Sequence, residues 1–261
     1  MRTSPNTDVA SWGLVGRLIS NMQRVLEGNA AVIRSGPYGE QVSEILTGKQ
    51  HKLNDEGSYY LTRTPTVGSG VASITTPTAY VATSPYIIVT NNNPPGGKNV
   101  WIDYINLNLV TAGTSSTNLQ FATALDTVPR YSSGGSGGSG TNLSTILQGP
   151  LPPNSGAPAN SNALVYAGAL VAIAASPANR ILCNRYLRSA IAVALDTYLI
   201  QFGSTDVPLD GTLISGAAIA QRSISHPAVC VAPGGSFLFH LYGTSMAAAT
   251  TCEVEVGHVE R

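Results

Sequence analysis

The sequence predicts a mainly β protein, an antiparallel jelly-roll-like β-sandwich preceded by an N-terminal α-helical arm. From about residue 59 onward, short apolar segments alternate with polar residues at the period of two that half-buried strands show. The connections between these segments are rich in Gly, Pro, Asn and Ser. They are too short and irregular for the crossover helices of a parallel sheet. The first 58 residues instead carry a helical apolar period. We therefore expect an arm and connector over 1–58 and a sandwich over 59–261.

The arm is predicted from apolar residues spaced three and four apart, which share one face at 3.6 residues per turn. Asp8 can cap the N-terminus of this helix, and Gly28 can end it. A second, weaker helical pattern covers Gly39–Gly48. The apolar face of the first helix consists of Trp12, Val15, Leu18, Ile19, Met22, Val25 and Leu26.

Eight to ten strands are expected after the arm. A change of phase near Tyr104 predicts a β-bulge inside one of them. An eight-stranded jelly roll fits this number of strands. Two tandem immunoglobulin-like domains are the alternative, although neither an internal repeat nor a clean linker supports them. The candidate strands are Tyr86–Val89, Val100–Val110, Leu119–Leu125, Val165–Ile173, Ile191–Leu195, Tyr198–Phe202, Thr212–Ala220, Ala228–Val231, Phe237–Leu241 and Cys252–Val256.

Charge is scarce and unevenly placed. Charged residues make up 11% of the chain, and 14 basic residues balance 14 acidic ones. Residues 64–252 contain only six basic and five acidic side chains. Such a balance lacks the basic face that a nucleic-acid-binding protein needs. A monomer with this surface has little colloidal protection, so we expect much of it to face other subunits. A monomer coated with Ser, Thr and Asn is the alternative.

Signals for a compartment are weak. The first residues lack the basic-then-apolar pattern of a secretory signal. The longest apolar run, Ala163–Ala175, is shorter than the roughly 20 residues that a membrane-spanning helix requires. The three cysteines, Cys183, Cys230 and Cys252, have no Cys-x-x-Cys spacing, so we expect buried thiols rather than disulfides.

The sequence contains no complete catalytic motif. The segment Gly243–Ala247 (GTSMA) resembles the nucleophile motif of subtilisin-like serine proteases, in which a serine needs a histidine base and an orienting carboxylate. The His-Gly-Thr-His and Asp-Thr-Gly motifs of that family are absent, and no Pro follows Ala247. We therefore expect a turn between strands there. No pair of carboxylates stands out for acid–base catalysis.

Metal and phosphate sites are not expected either. A cupin-type metal site usually contains a His-x-His pair, which His51, His226, His240 and His258 do not supply. The glycines at 96–97 before Lys98 lack the rest of a P-loop. The sequence therefore predicts a protein that is not an enzyme and has no cofactor, bound metal or small-molecule substrate. It also predicts no nucleic-acid partner and no association with a membrane.

Over about 55–261 the chain resembles structural proteins of tailed-bacteriophage virions, especially the jelly-roll proteins that decorate or cement the head. The resemblance lies in Asp55–Tyr60 (DEGSYY) leading into Thr/Gly-rich strands, in Arg130–Gly135 (RYSSGG), and in the closing strand Glu253–Arg261 (EVEVGHVER). It implies a capsid decoration or cement protein that bridges major capsid subunits. Such a protein would form a homotrimer and be assembled in the host cytoplasm onto the capsid surface.

The resemblance leaves a second function open, a tail or fibre adhesin that binds a host receptor through loops such as 91–99 and 131–142. A carbohydrate-active or metal-dependent enzyme on the same fold is a third. If the chain is a decoration protein, we expect the apolar face of the helical arm to be its partner interface. The alternative is that this face caps the sandwich. Its residues are Trp12, Val15, Leu18, Ile19, Met22 and Leu26.

Overall fold

The strands follow the apolar alternation of the sequence. The chain divides into two compact units, residues 1–49 and residues 50–261. The computed structural model describes residues 34–35, 41–42, 53–54, 56–64, 66–72, 78–111, 118–127, 141–143, 153, 161–168, 170, 180–188, 192–203, 221–243 and 250–261.

In the first unit the described residues form one antiparallel pair, β1 (Arg34–Ser35) and β2 (Gln41–Val42). The prediction of a helix over Gly39–Gly48 is therefore wrong at Gln41–Val42, where pairing with β1 replaces the weak helical period. The predicted arm helix lies outside the described residues.

The second unit contains two sheets. Their strands are β3 (Tyr59–Arg63), β4 (Val71–Ala72), β5 (Ile87–Asn91), β6 (Val100–Thr111), β7 (Leu119–Asp126), β8 (Thr141–Asn142), β9 (Ala163–Ala167), β10 (Arg180–Arg188), β11 (Thr197–Phe202), β12 (Gln221–His226), β13 (Val229–Val231), β14 (Ser236–Tyr242) and β15 (Thr251–Glu260).

One sheet has six strands in the order β10-β7-β14-β5-β9-β8. The other has seven, with β12-β11-β6-β15-β3 as its main order, β13 beside β6 and β4 beside β15. Among the described pairs only β11 and β12 run parallel. The mainly β, mostly antiparallel two-sheet architecture predicted from the sequence is thus confirmed.

The two sheets pack face to face over one apolar core. Phe121 and Phe239 stack at 5.3 Å within the six-stranded sheet, and Phe202 of β11 meets Phe237 of β14 edge-on at 5.5 Å across the interface. Burying a phenylalanine side chain fully is worth about 1.5–3 kcal/mol. Strands from both halves of the chain enter this core, from Tyr86 to Val256. Two tandem domains with separate cores do not account for that arrangement.

The predicted bulge lies in β6. Along β15 the partner of Gly257 is Tyr104 and the partner of His258 is Ile102, so Asp103 is the extra residue. By contrast, the strand expected over Ile191–Leu195 is wrong in its described part. Residues 193–196 form a turn closed by the hydrogen bond from Asp196 N–H to the Val193 carbonyl, and Leu195 has a φ of 74° with 65% of its surface exposed.

Candidate functional site

The structure describes a site different from the one that the sequence predicts. Ser245 of the protease-like motif and the loop 131–140 lie outside the residues that the structure describes. So does every residue of the predicted partner interface, namely Trp12, Val15, Leu18, Ile19, Met22 and Leu26.

A polar cleft lies on the outer face of the seven-stranded sheet, where β3, β15 and β6 run side by side. Glu255 pairs with Arg63 on one side and with Asn106 on the other, and Glu253 pairs with Asn108. Because side chains alternate across a strand, these polar groups share the face opposite the core. The cleft has a volume of about 180 Å³ and is lined by Arg63, Thr64, Val67, Asn106, Asn108, Glu253, Val254 and Glu255.

The two carboxylates of the polar cleft are held by hydrogen bonds. The backbone N–H of Gly68 donates to Glu253 Oε1, and Asn108 Nδ2 lies 3.5 Å from Glu253 Oε2. The Tyr104 hydroxyl donates to Glu255 Oε1. Burial, followed by this hydrogen bond, raises the pKa of Tyr104 well above its usual value, so the phenol remains a donor. The cleft therefore presents fixed acceptor oxygens.

Gly257 leaves space for the rings of Tyr59 and Tyr104, which form an aromatic wall beside the polar cleft. A Cβ atom at this position would lie 2.5 Å from Tyr104 Cε1 and 2.6 Å from Tyr59 Oη. The Tyr59 hydroxyl crosses the strand here to donate to Asp103 Oδ2 at 2.9 Å. Glycine is thus required by the close approach of two tyrosines.

His258 belongs to a buried network rather than to a catalytic triad. Its Nε2 lies 3.0 Å from Ser161 Oγ, whose hydroxyl donates to Glu260 Oε1. Glu260 also accepts the N–H groups of Asn162 and Ala163 at 3.0 and 3.1 Å. A triad needs the carboxylate on the other nitrogen of the histidine. Here Nδ1 has no hydrogen-bond partner in the described part of the chain, and the serine proton already points to the carboxylate.

His226 links the two sheets. Its Nε2 lies 2.6 Å from Thr123 Oγ1 of the facing sheet, and its Nδ1 lies 2.7 Å from the carbonyl oxygen of Pro227. A neutral ring that donates from Nδ1 and accepts at Nε2 satisfies both contacts. Burial lowers the pKa of His226 and keeps this neutral form.

His240 is buried on the face of the six-stranded sheet opposite the main core, because it alternates with the core residues Phe239 and Leu241, and Tyr80 packs edge-on against it at 4.8 Å. Neither of its ring nitrogens has a hydrogen-bond partner of ordinary geometry within the described residues. Burial lowers the pKa of His240 to about 4, and the nearby backbone of Ser84 and Val81 offsets part of this effect. The three described histidines are thus internal neutral groups.

A buried ion pair joins the end of β10 to the start of β11. The Arg188 guanidinium donates to Asp196 Oδ2, and only 4% of Arg188 and 0% of Asp196 are exposed. The same oxygen accepts the Tyr198 hydroxyl and the Val193 N–H, each at 2.9 Å. Several donors on one carboxylate compensate for its removal from water.

Arginines connect β10 and β12, the end strands of the two sheets among the described residues. From β10, Arg185 Nη1 donates to the Ser225 carbonyl at 3.1 Å; from β12, Arg222 Nη1 donates to the carbonyls of Tyr186 and Leu187 at 3.0 and 3.1 Å. The exposed Arg180 begins the same strand, β10. We call Arg180, Arg185 and Arg222 the arginine edge.

The arginine edge also exposes apolar surface. Ile181 and Tyr186 of β10 are 53% and 52% exposed. A long sheet edge with exposed apolar side chains is a template for pairing with another chain.

Of the three cysteines, which the sequence predicts as buried thiols, Cys252 is buried and Cys183 and Cys230 are half-buried. Cys183, Cys230 and Cys252 are free, and burial raises the pKa of each, to about 12 for Cys252. Reactive cysteines have a lowered pKa instead. The described residues contain no group of three or more His, Cys, Asp or Glu side chains placed to hold a metal ion. Within the same residues, no helix has the length and apolar content needed to cross a membrane.

Fold and site together define a β-sandwich with a polar cleft on one face and an arginine-lined edge. Comparisons with known protein families, with curated proteins and with solved structures found no match.

Proposed function

We propose that this chain is a non-enzymatic structural subunit of a tailed-bacteriophage virion, a decoration or cement protein that bridges major capsid subunits and stabilises the head. It assembles with copies of itself, as a trimer, on the capsid surface. The observation that carries this proposal is the edge of β10, where Ile181 and Tyr186 are about half exposed on a rigid sandwich. Exposed apolar side chains grouped on one surface mark interaction sites.

The strand order supports the jelly-roll part of the proposal. Eight of the strands follow a double Greek-key order, in which successive strands change sheet at every step except from β7 to β10. One group of four reads β11-β6-β15-β3 and the other β10-β7-β14-β5. The N-terminal helix remains part of the proposal, as a clasp on neighbouring subunits.

Co-sedimentation with undecorated phage heads tests the function. The full chain should saturate the heads, and the double variant Ile181→Ser, Tyr186→Ser should bind at least about tenfold more weakly, because apolar contact area is lost. Val81→Ser is the matched control, since Val81 is 40% exposed elsewhere on the sandwich. Deleting residues 1–30 should also weaken binding while the sandwich stays folded. Unchanged saturation by the double variant would refute the role of the edge.

The polar cleft favours a second candidate, a tail or fibre adhesin that binds a host glycan. Carboxylates and amides beside an aromatic wall suit sugar hydroxyls, and Glu253 and Asn108 are positioned for such contacts. Binding of the isolated protein to host cells, abolished by Glu253→Gln but not by Glu56→Gln, an exposed carboxylate outside the cleft, would support this function. Binding to heads alone would exclude it.

A further inference from the structure

Opposite charges lie on two different surfaces of this neutral chain. The arginine edge contains three cations, and the polar cleft contains Glu253 and Glu255 with one cation, Arg63. Complementary charge between two surfaces steers and orients association.

The two surfaces do not meet within one molecule. The arginine edge runs along β10 and β12, whereas the polar cleft centres on β15, with β11 and β6 between it and β12. At about 4.8 Å per strand, these intervening strands separate the two by more than 10 Å, and the cleft opens on a sheet face rather than on an edge.

Arg180 is the cation available for a partner. Arg185 and Arg222 already donate to backbone carbonyls. Arg180 is exposed, and it makes no hydrogen bond or ion pair with the rest of the chain in the described region. Its planar guanidinium suits carboxylate oxygens, to which it can donate two parallel hydrogen bonds.

Arg180 and Ile181 point to opposite faces of β10, because they pair with the consecutive residues Leu125 and Ala124 of β7. A contact made by Arg180 is therefore separate from the exposed apolar surface of Ile181 and Tyr186.

We propose that the polar cleft of one copy receives Arg180 of the next copy. This contact rests on the proposed function, in which the chain assembles with itself. Because two different patches meet, the contact is heterologous and generates a closed ring or a filament rather than a two-fold dimer. A closed ring is the geometry of the proposed trimer.

Charge exchange tests the contact, with self-association measured by sedimentation velocity over a range of concentrations. Arg180→Glu and Glu253→Arg should each weaken association at least about tenfold, since like charges then face each other. The double variant should recover affinity to within about threefold of the original chain. Lys98→Glu is the matched control, an equal charge change in an exposed turn away from both surfaces.

A second measurement covers the case in which Glu253→Arg disturbs the Gly68 contact. In the Arg180→Lys variant the new amine can form an amide bond with a carbodiimide-activated carboxylate. Mass spectrometry of mixed ¹⁴N and ¹⁵N copies should then find residue 180 joined to Glu253 or Glu255 of a copy with the other label. Cross-links within one copy only, or to other carboxylates, would overturn the contact.

The outcomes separate this contact from the proposed function. A chain that stays monomeric at all concentrations, or a double variant that does not recover, overturns the contact even if heads are still decorated. Recovery by the double variant, together with no binding to heads, supports the contact and refutes the decoration function.

Discussion

Acid should destabilise the sandwich, because it folds around neutral histidines. His226, His240 and His258 are each at most 2% exposed. Burial lowers the pKa of His258 to about 3 and that of His240 to about 4, from 6.5 for an accessible histidine. The perturbation is a change of pH from 8 to 5, a range in which the folded forms of His240 and His258 stay neutral.

The sign follows from proton uptake by the unfolded chain. Below pH 6.5 the unfolded chain binds protons that the folded chain excludes, so stability is complete above this pH and is lost as the pH falls toward 3. At pH 5 proton binding lowers the free energy of the unfolded state by about 2 kcal/mol for each of His240 and His258. The free energy of unfolding should therefore fall by about 4 kcal/mol between pH 8 and pH 5, and His226 adds to this in the same direction.

Urea unfolding at pH 8, 6.5 and 5, followed by circular dichroism, measures this loss. In the His240→Phe variant about 2 kcal/mol of the pH dependence should disappear, since the ring no longer titrates. At pH 8 this variant should be as stable as the original chain, because no ordinary hydrogen bond of His240 is lost and Tyr80 can pack on the phenyl ring. Lys98→Gln should keep the original slope. Equal stability at pH 8 and 5, or an unchanged slope for His240→Phe, would refute the reasoning.

Three further substitutions test the packing. Asp196→Ala should cost about 3–5 kcal/mol in urea unfolding, because it leaves the buried Arg188 without its carboxylate. Replacing both residues by Leu should recover only part of this loss, because the Tyr198 hydroxyl and the Val193 N–H still lack their acceptor. Gly257→Ala should lower stability by about 1–3 kcal/mol, since its Cβ atom meets the Tyr104 ring at 2.5 Å. Arg222→Ala should increase light scattering on storage, because it uncovers carbonyls on the β10 edge.

Each of these has a contradicting result. A loss below about 1 kcal/mol for Asp196→Ala would mean that Arg188 reaches water when its partner is removed. Gly96→Ala is the control for Gly257→Ala, since nothing lies within 4 Å of its Cβ position and its cost is that of a φ of 80° alone. An equal loss in both would remove the steric argument. Unchanged scattering for Arg222→Ala would show that other groups protect the edge.

The sequence predicts the central strands well because each has at least one face in the core. Leu119, Phe121 and Leu125 identify β7, and Val254 and Val256 identify β15, through alternation alone. Burial on one face fixes the period of two and the register along with it. The bulge predicted from the change of phase in β6 is confirmed, with Asp103 as the extra residue.

Edge strands are missed for the same physical reason. β10 (RILCNRYLR) and β12 (QRSISH) have mixed sequences, because an edge has less core to contact and carries charge against unwanted pairing. The sequence predicts a strand over Ile191–Leu195 because apolar residues alternate there, but residues 193–196 form a turn. The conformation there is decided by Asp196, whose carboxylate bonds the distant Arg188 and the N–H of Val193.

The polar cleft could be predicted only in part. Alternation places Glu253 with Glu255, and Asn106 with Asn108, on the polar faces of two strands. Their meeting depends on the pairing of β15 with β6, across about 145 residues of chain. That register is set by pairing across the whole sheet rather than by any local pattern. The site therefore has no sequence motif by which it could be predicted.

The scarcity of charge acquires a structural explanation in the sandwich. Arg188 and Asp196 are buried as a pair, and Glu260 is buried under backbone N–H groups. Charges bound in this way add little repulsion between molecules, so hydroxyl and amide groups must keep a free monomer dispersed. In the proposed assembly, the exposed Arg180 and the carboxylates of the polar cleft lie on different surfaces, so this charge directs contact between copies rather than preventing it. Low charge and the proposed self-assembly would then be two consequences of one arrangement.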